Sequence, residues 1–307
     1  MKTLKLDFAD FYGIRKNNNF FTDLLSLHFN IEINCRPDLL IFSNSGHINR
    51  LHSCKKIYVT GESLAPNWKH TDYGMTCHHI DDPRHIRLPY YVWGTPGTWQ
   101  DLIKNQDEIT TLIKTKRQFC STVITNANLK RTANRINFFK KLNAIEPVAS
   151  GGSFMNNCGD IGSGSINKIN FIKNYKFNLC YENKRQAGYI TEKLTDAMLA
   201  KTIPIYWGCD RVGEEFNKKS FLFRNDYSSD EEFIEKIIEV HENPKLYEEM
   251  LREPYFINNQ PNVYYDLNRI VNFIQDIVES NKKPISKNSH FFSFGRWKLA
   301  KKNPNKK

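Results

Sequence analysis

No stretch of this chain comes near the roughly 18 consecutive apolar residues that a membrane-spanning helix requires. The opening Met1-Lys-Thr-Leu-Lys-Leu-Asp is broken by charge too early for the apolar core of a secretory signal. On this reading the protein is cytoplasmic. Cysteine pairs at metal or redox spacing are missing as well. The seven cysteines (Cys35, Cys54, Cys77, Cys120, Cys158, Cys180, Cys209) are odd in number, scattered and never spaced C-x-x-C. That excludes a disulfide framework or zinc ribbon and suits reduced, packed thiols. No internal repeat is found. The glycine-rich spots at Gly151-Gly152 and residues 159–164 lack the Gly-Lys-Ser/Thr of a phosphate-binding P-loop, and read instead as places of close backbone approach.

What is present is a chain of 307 residues, 40% hydrophobic and 13% aromatic, enough for two cores and too apolar for disorder. The formal charge of +11 suggests a nucleic-acid binder until its location is read. Residues 281–307 carry nine Lys or Arg and no acid, so removing that tail leaves +2. The basicity describes the tail and says little about the folded body.

Short apolar runs alternate with amphipathic ones. Strands are predicted at Lys2–Phe8, Asp38–Phe42 and Lys56–Thr60, with a helical spacing at Phe20–Phe29. A connecting helix is predicted over Gln100–Thr115. A second series then follows: a strand at Phe119–Thr125 with an exit turn at Asn126-Ala-Asn, a helix around Arg135–Leu142, a strand at Lys176–Tyr181, a helix from Thr191, and strands at Thr202–Trp207 and Ser220–Arg224. One long helix over Asp230–Leu251 and a last one near Leu267–Val278 complete the pattern. This grammar is α/β. It predicts two Rossmann-like domains facing a cleft, 1–104 and 105–278, then a basic tail, 279–307. In such sheets ligands sit outside the carboxyl ends of the strands.

The most informative segment runs from Phe177 through Tyr181-Glu-Asn and Gly188-Tyr-Ile-Thr-Glu-Lys to Trp207-Gly. Ile190, Leu194, Ala197 and Met198 put one apolar face of a helix against a sheet. Thr191 is placed to cap that helix, and an open helix N-terminus favours phosphate. Lys193 in the first turn has the wrong sign for the helix dipole, which is sensible where an anion binds; the plainer reading is a solvated lysine.

This segment resembles the signature of the α-1,3-fucosyltransferases, inverting enzymes of two Rossmann-like domains (GT-B) that use GDP-fucose. The likeness extends to Tyr58-Val-Thr-Gly-Glu-Ser-Leu-Ala-Pro-Asn-Trp, Asp72-Tyr-Gly, Arg87-Leu-Pro-Tyr-Tyr, residues 119–126, residues 135–143 and Pro147-Val-Ala-Ser-Gly-Gly. It covers residues from about 20 to about 280 and is similar to the short bacterial members that make Lewis-type fucosylated glycans. The resemblance implies that Lys193 contacts the GDP phosphates, Glu192 the ribose, Tyr189 and Asn183 the nucleotide pocket, and Arg135 the pyrophosphate, with Arg131 one turn earlier as competitor. A planar guanidinium suits bidentate phosphate binding. Without the resemblance both arginines read as surface residues.

Inversion in a single displacement needs a base opposite the leaving group, and Glu62, after the strand Lys56–Thr60 and Gly61, matches the family's catalytic glutamate. Read alone it is an ordinary loop carboxylate. The resemblance implies GlcNAc of N-acetyllactosamine as acceptor and no cofactor beyond the co-substrate. His78, His79 and His85 with Asp81 and Asp82 have no diagnostic ligand spacing, and no D-x-D motif lies near the donor segment. Metal-independent chemistry is therefore expected, with the cluster structural or on the acceptor side. The aromatic and cationic tail, His290–Lys302, suits an anionic membrane surface, or is solvated or packed on the first domain. The competing functions are a transferase with another nucleotide sugar and a glycan- or nucleic-acid-binding protein without turnover.

Overall fold

The computed structural model describes residues 1–115, 117–125 and 129–285. These form two compact α/β units, Met1–Leu88 with the segment from Asp266, and Pro89–Tyr265.

The first unit is built on a six-stranded sheet: β1 (Thr3–Ala9), β2 (Asn30–Ile33), β3 (Leu39–Phe42), β4 (Lys55–Val59), β5 (Tyr73–Thr76) and β6 (His85–Arg87). The order is β2-β1-β3-β4-β5-β6 and every pairing is parallel. The central runs Leu39–Phe42 and Ile57–Val59 are buried throughout, as strands covered on both faces must be. Helix α1 (Phe20–Ser26) begins in a capping box, Asn19 accepting from Phe21 and Thr22 while Thr22 reaches back to Asn19.

The second unit opens with α2 (Tyr90–Trp93) and α3 (Gln106–Ile113), followed by β7 (Gln118–Thr122), α4 (Leu129–Asn143), β8 (Val148–Ser150), α5 (Ser165–Ile172), β9 (Tyr175–Tyr181), α6 (Glu192–Leu199), β10 (Ile203–Trp207), β11 (Leu222–Phe223), α7 (Asp230–Glu242) and α8 (Pro244–Arg252). Its sheet is again parallel, ordered β11-β10-β9-β7-β8. The chain moves outward in one direction from β7 to β8 and in the other from β9 to β11. The switch point between β7 and β9 is where an open α/β sheet offers a crevice.

Three expectations are corrected. The helix predicted over Gln100–Thr115 is a single-turn 3-10 segment, Trp99–Leu102, and then α3, because Asn105 caps a fresh start by accepting from the amides of Asp107 and Glu108. The helix predicted over Asp230–Leu251 breaks at Asn243-Pro244: the asparagine caps α8 and the proline takes the first position, where a missing N–H costs nothing. The domain division also falls elsewhere than 104/105 and 278. The last helix, α9 (Asn268–Glu279), belongs to the first unit. It buries Ile270, Val271, Ile274 and Ile277, each worth roughly 1.5–3 kcal/mol. Phe273 meets Tyr73 edge-on at 6.0 Å, and the ammonium of Lys55 donates to the carbonyls of Ile277 (2.6 Å) and Ser280. The exit turn at residues 126–128 and the tail beyond 285 lie outside the described residues. Among the described residues no helix is long and apolar enough to cross a membrane. All seven cysteines are thiols, with Cys77, Cys120, Cys180 and Cys209 buried.

Candidate functional site

The carboxyl end of β9 organises the second unit. Tyr181, its last residue, stacks on Phe138 of α4 at 4.9 Å and on Trp207 of β10 at 5.7 Å, which fixes the direction in which the chain leaves the sheet. Arg135 reaches this point from α4. Its Nε and Nη2 donate to the Tyr181 carbonyl (3.0 and 2.6 Å), and Nη2 also donates to Asn183 Oδ1 at 2.8 Å. The guanidinium is buried and anchored where the sequence alone suggested a surface arginine.

Between Tyr181 and Asn183 sits Glu182, which the sequence reading passed over. It is 1% exposed, accepts from the Thr191 amide (2.7 Å) and hydroxyl (2.8 Å), and pairs with Lys193 Nζ at 3.3 Å. Burial pushes its pKa up, against the pull of Lys193. Thr191 caps α6 as expected, accepting from the Lys193 amide at 3.4 Å. Lys193, unfavourable at a helix start, thus has a counter-charge built into the strand end. Glu192 lies within 3.8 Å of Lys193 and 3.9 Å of Lys168. Burial alone would raise its pKa, but the two ammonium groups hold it below the usual carboxylate value.

Behind Glu192, one turn along α6, Asp196 is 1% exposed and pairs with Lys168 of α5 at 2.8 Å. Burial outweighs that pairing for the acid, raising Asp196 to about 6. For Lys168 the carboxylates outweigh burial and raise its pKa. The pair is therefore ionised at neutral pH, and the acid is the first to lose its charge as pH falls.

These groups border a pocket of ≈ 680 Å³ within the second unit. Tyr90 and Gly94, Val123 and Thr125 after β7, residues 151–153, Asn156 and residues 159–165 after β8, and Lys168, Glu192 and Asp196 line it. The glycines after β8 are required by space. A Cβ on Gly152 would stand 2.1 Å from the carbonyl oxygen of Ile124, so only glycine lets the β8 exit run against the β7 exit. Gly164, at φ +92, turns the chain into α5.

Of the expected donor residues, Arg135, Asn183, Glu192 and Lys193 are brought together around the β9 end. Only Glu192 among them lines the pocket. Tyr189 is 1% exposed and contributes to the electrostatic surroundings of Arg135. The side chain of Arg131 lies outside the described residues.

In the first unit Glu62 sits, as expected, just past a carboxyl strand end. Its amide donates to Thr60 Oγ1 (3.0 Å), whose hydroxyl donates to Asn44 Oδ1 (2.9 Å), and its own side chain is exposed. His78 and His85 are arranged around Thr76, whose hydroxyl lies 3.2 Å from His78 Nδ1 and 3.0 Å from His85 Nε2. Burial, then His78, lowers His85 to about 4. Among the described residues no group of three or more His, Cys, Asp or Glu is placed to share a metal ion.

Comparison with known proteins gives a consistent picture. Residues 113–266 match the family described as glycosyltransferase family 10 (fucosyltransferase), C-terminal part, and residues 6–93 match the alpha-(1,3)-fucosyltransferase FucT N-terminal domain. The chain is 29% identical to the alpha-(1,3)-fucosyltransferase FucT of Helicobacter pylori over 91% of its own length and 66% of that protein. It is 32% identical to human 4-galactosyl-N-acetylglucosaminide 3-alpha-L-fucosyltransferase 9 over 44% of this chain and 36% of the relative. The chain thus spans just under two thirds of the bacterial relative and about a third of the human one. Two solved structures share the fold. An alpha1,3-fucosyltransferase with GDP superposes with a TM-score of 0.74 at 27% identity, covering 94% of this chain and 93% of that one. One with GDP-fucose gives 0.71 at 28%, covering 92% of each.

Proposed function

Because the chain belongs to glycosyltransferase family 10, the fucosyltransferases, we propose that it transfers L-fucose from GDP-β-L-fucose to the 3-hydroxyl of GlcNAc in N-acetyllactosamine-type glycans, with inversion at the fucose carbon. The observation that carries this reading is the convergence of Arg135, Lys193 and Glu192 on the β9 end beside a pocket of ≈ 680 Å³, a volume suited to a nucleotide. The likeness to an α1,3-fucosyltransferase solved with GDP-fucose supports the donor.

In this mechanism the acceptor oxygen forms its bond to the fucose carbon as the bond to the β-phosphate breaks. The acceptor proton passes to Glu62, and the electron pair leaves with GDP. The transition state is oxocarbenium-like, by analogy with other glycosyl transfer. Lys193, Arg135 and the N-terminus of α6 stabilise the charge gathering on the diphosphate. Glu182 keeps the Lys193 ammonium in place before the donor arrives, and Asn183 steadies Arg135. Glu192, held ionised between two lysines, accepts hydrogen bonds from the ribose hydroxyls. Tyr189 closes the nucleotide side. No cofactor beyond the co-substrate is required, so activity should survive a chelator.

The deciding experiment is incubation with GDP-fucose and a panel of disaccharides, followed by linkage analysis. An α-1,3-fucosylated GlcNAc product is expected. GDP stabilisation without any transfer would leave a binding protein, and stabilisation by UDP in place of GDP would mean another donor. The nine cations of residues 281–307 suit peripheral contact with an anionic membrane. Vesicle co-sedimentation of the full chain against one ending at residue 281 tests this, and equal binding by both would dismiss it.

A further inference from the structure

Glu62 takes the acceptor proton in the proposed mechanism, and that role leaves the choice of acceptor sugar unexplained. The strand ends beside Glu62 carry a group suited to it. β3 and β4 pair in register with Phe42 opposite Tyr58, and two residues further on, on the same face, Asn44 comes opposite Thr60. Their side chains meet. The Thr60 hydroxyl donates to Asn44 Oδ1 at 2.9 Å, and the Ser43 hydroxyl donates to the same oxygen at 3.0 Å. Ser43 and Thr60 are buried, whereas Asn44 is exposed. A carboxamide whose oxygen is held by two buried hydroxyls turns its NH2 the other way, toward solvent. That NH2 has no partner among the described residues and offers two N–H donors. The base shares the same support. Thr60 Oγ1 accepts the Glu62 amide at 3.0 Å, and the Leu64 amide donates to the Glu62 carbonyl at 2.8 Å, so both backbone groups of Glu62 are fixed. Its carboxylate lies on this side of the sheet. Tyr58, one step back along the face, is hydrogen-bonded to Thr60, and its pKa is raised by burial and further by the Glu62 carboxylate.

We propose that the Asn44 amide donates to the acetamido carbonyl of the acceptor GlcNAc and so selects that sugar over glucose. The assignment rests on the reading of the chain as a transferase to the 3-hydroxyl of GlcNAc and adds to it the origin of sugar selectivity. The attacking hydroxyl is on C3 and the acetamido group on C2. Adjacent strands stand ~4.8 Å apart, a spacing that substituents on neighbouring sugar carbons can bridge. One then meets Glu62 at the β4 end and the other meets Asn44 at the β3 end. The acetamido oxygen only accepts, which matches an NH2 that only donates. Glu62 does not serve in its place, because an ionised carboxylate has no proton to donate. In glucose the 2-hydroxyl is shorter by the whole acetyl group and stops short of the amide. Selection and orientation coincide here: seating the acetamido oxygen on Asn44 turns the 3-hydroxyl toward the carboxylate.

The test is steady-state fucosylation of N-acetyllactosamine and of lactose by the full chain with GDP-fucose. The two disaccharides differ only in the acetamido group. The unaltered chain should favour N-acetyllactosamine in kcat/KM by about 10-fold, the worth of one neutral hydrogen bond. Asn44→Asp keeps an oxygen for Ser43 and Thr60 and removes the N–H donors. It should bring N-acetyllactosamine down to the level of lactose. Its added charge acts on Glu62 alike with both sugars, so it moves the pH profile and not the ratio. Asn44→Ala should abolish the preference too, and the melting temperature of each variant reports its folding. A preference that survives in either variant, or an equal loss on both sugars, overturns the assignment of Asn44 while fucosyl transfer stands. An unaltered chain that treats the two sugars alike does the same. No transfer to either sugar, or a product linked elsewhere than at the 3-hydroxyl, overturns the acceptor reading, and this assignment with it.

Discussion

The carboxyl edges of the two sheets are furnished in opposite ways. In the second unit the edge is a web of buried charge: Arg135 on the Tyr181 carbonyl, Glu182 between Thr191 and Lys193, and Asp196 on Lys168, each group fixed by the next. In the first unit the edge around Glu62 is open, and the buried carboxylate that follows β1, Asp10, is taken up by the amides of Ile48 and Asn49. Thr60 and Asn44 hold the backbone, and the Glu62 side chain is exposed. Under the proposed function the difference is a division of labour. Gripping a diphosphate demands preorganised charge, since mobile groups would lose the advantage in reorganisation. A base must exchange its proton, which a carboxylate locked in ion pairs does poorly.

The largest expected effect breaks the comparison on the open side. Glu62→Gln should lower turnover by about 10²–10⁴-fold, the usual contribution of a general base, with GDP affinity unchanged. Steady-state kinetics beside GDP titration reads both, and near-normal turnover would remove Glu62 from the chemistry. On the charged side, Lys193→Met combined with Glu182→Gln should weaken GDP by about 10- to 100-fold, the worth of a charge-assisted hydrogen bond. The pairing of the two substitutions avoids a buried carboxylate without its cation. Unchanged GDP affinity would make that ion pair purely architectural.

The smallest effect sharpens the contrast through pH. His85 of the first unit is lowered to about 4, so between pH 6.5 and 4 the unfolded chain takes up a proton that the folded unit refuses, and stability falls as pH drops. Asp196 of the second unit is raised to about 6, so from pH 6 toward 4 the folded unit takes up a proton that the unfolded chain refuses, and stability rises. Each slope is on the order of 1 kcal/mol per pH unit. Urea unfolding at pH 7 and pH 5, read against the unaltered chain, should show His85→Gln removing part of the loss in the first unit and Asp196→Asn removing a stabilising contribution in the second. A variant that keeps the unaltered chain's pH dependence would contradict the environment of its residue.

Much of the fold was legible because buried parallel strands announce themselves as short apolar runs: β1, β3, β4, β7, β9 and β10 all coincide with one. The strands that escaped were β2, whose Asn30–Ile33 leaves no residue fully buried, and the brief β5, β6 and β8. The length of α7 misled because Ile237, Ile238 and Val240 continue the helical period toward Pro244, where capping decides the break. The site was legible where its parts are neighbours in sequence, as Thr191, Glu192 and Lys193 are. Lys168 and Asp196 are separated in sequence by the whole of β9 and meet only where α5 packs against α6. Glu182 lay inside the recognised segment; a lone acid directly after a buried apolar strand is the signal that could have marked it.

The return of α9 to the first sheet has a consequence for how the molecule is made. Lys55 finds its carbonyl partners 222 and 225 residues further on, so of the two units the one whose strands are synthesised earlier is the later to finish its core. Residues Pro89–Tyr265, contiguous and self-contained, have all their own partners as soon as Tyr265 has left the ribosome. The six-stranded sheet waits with Tyr73 and its neighbours uncovered until α9 emerges, and during that interval it is the half of the protein most exposed to misassembly.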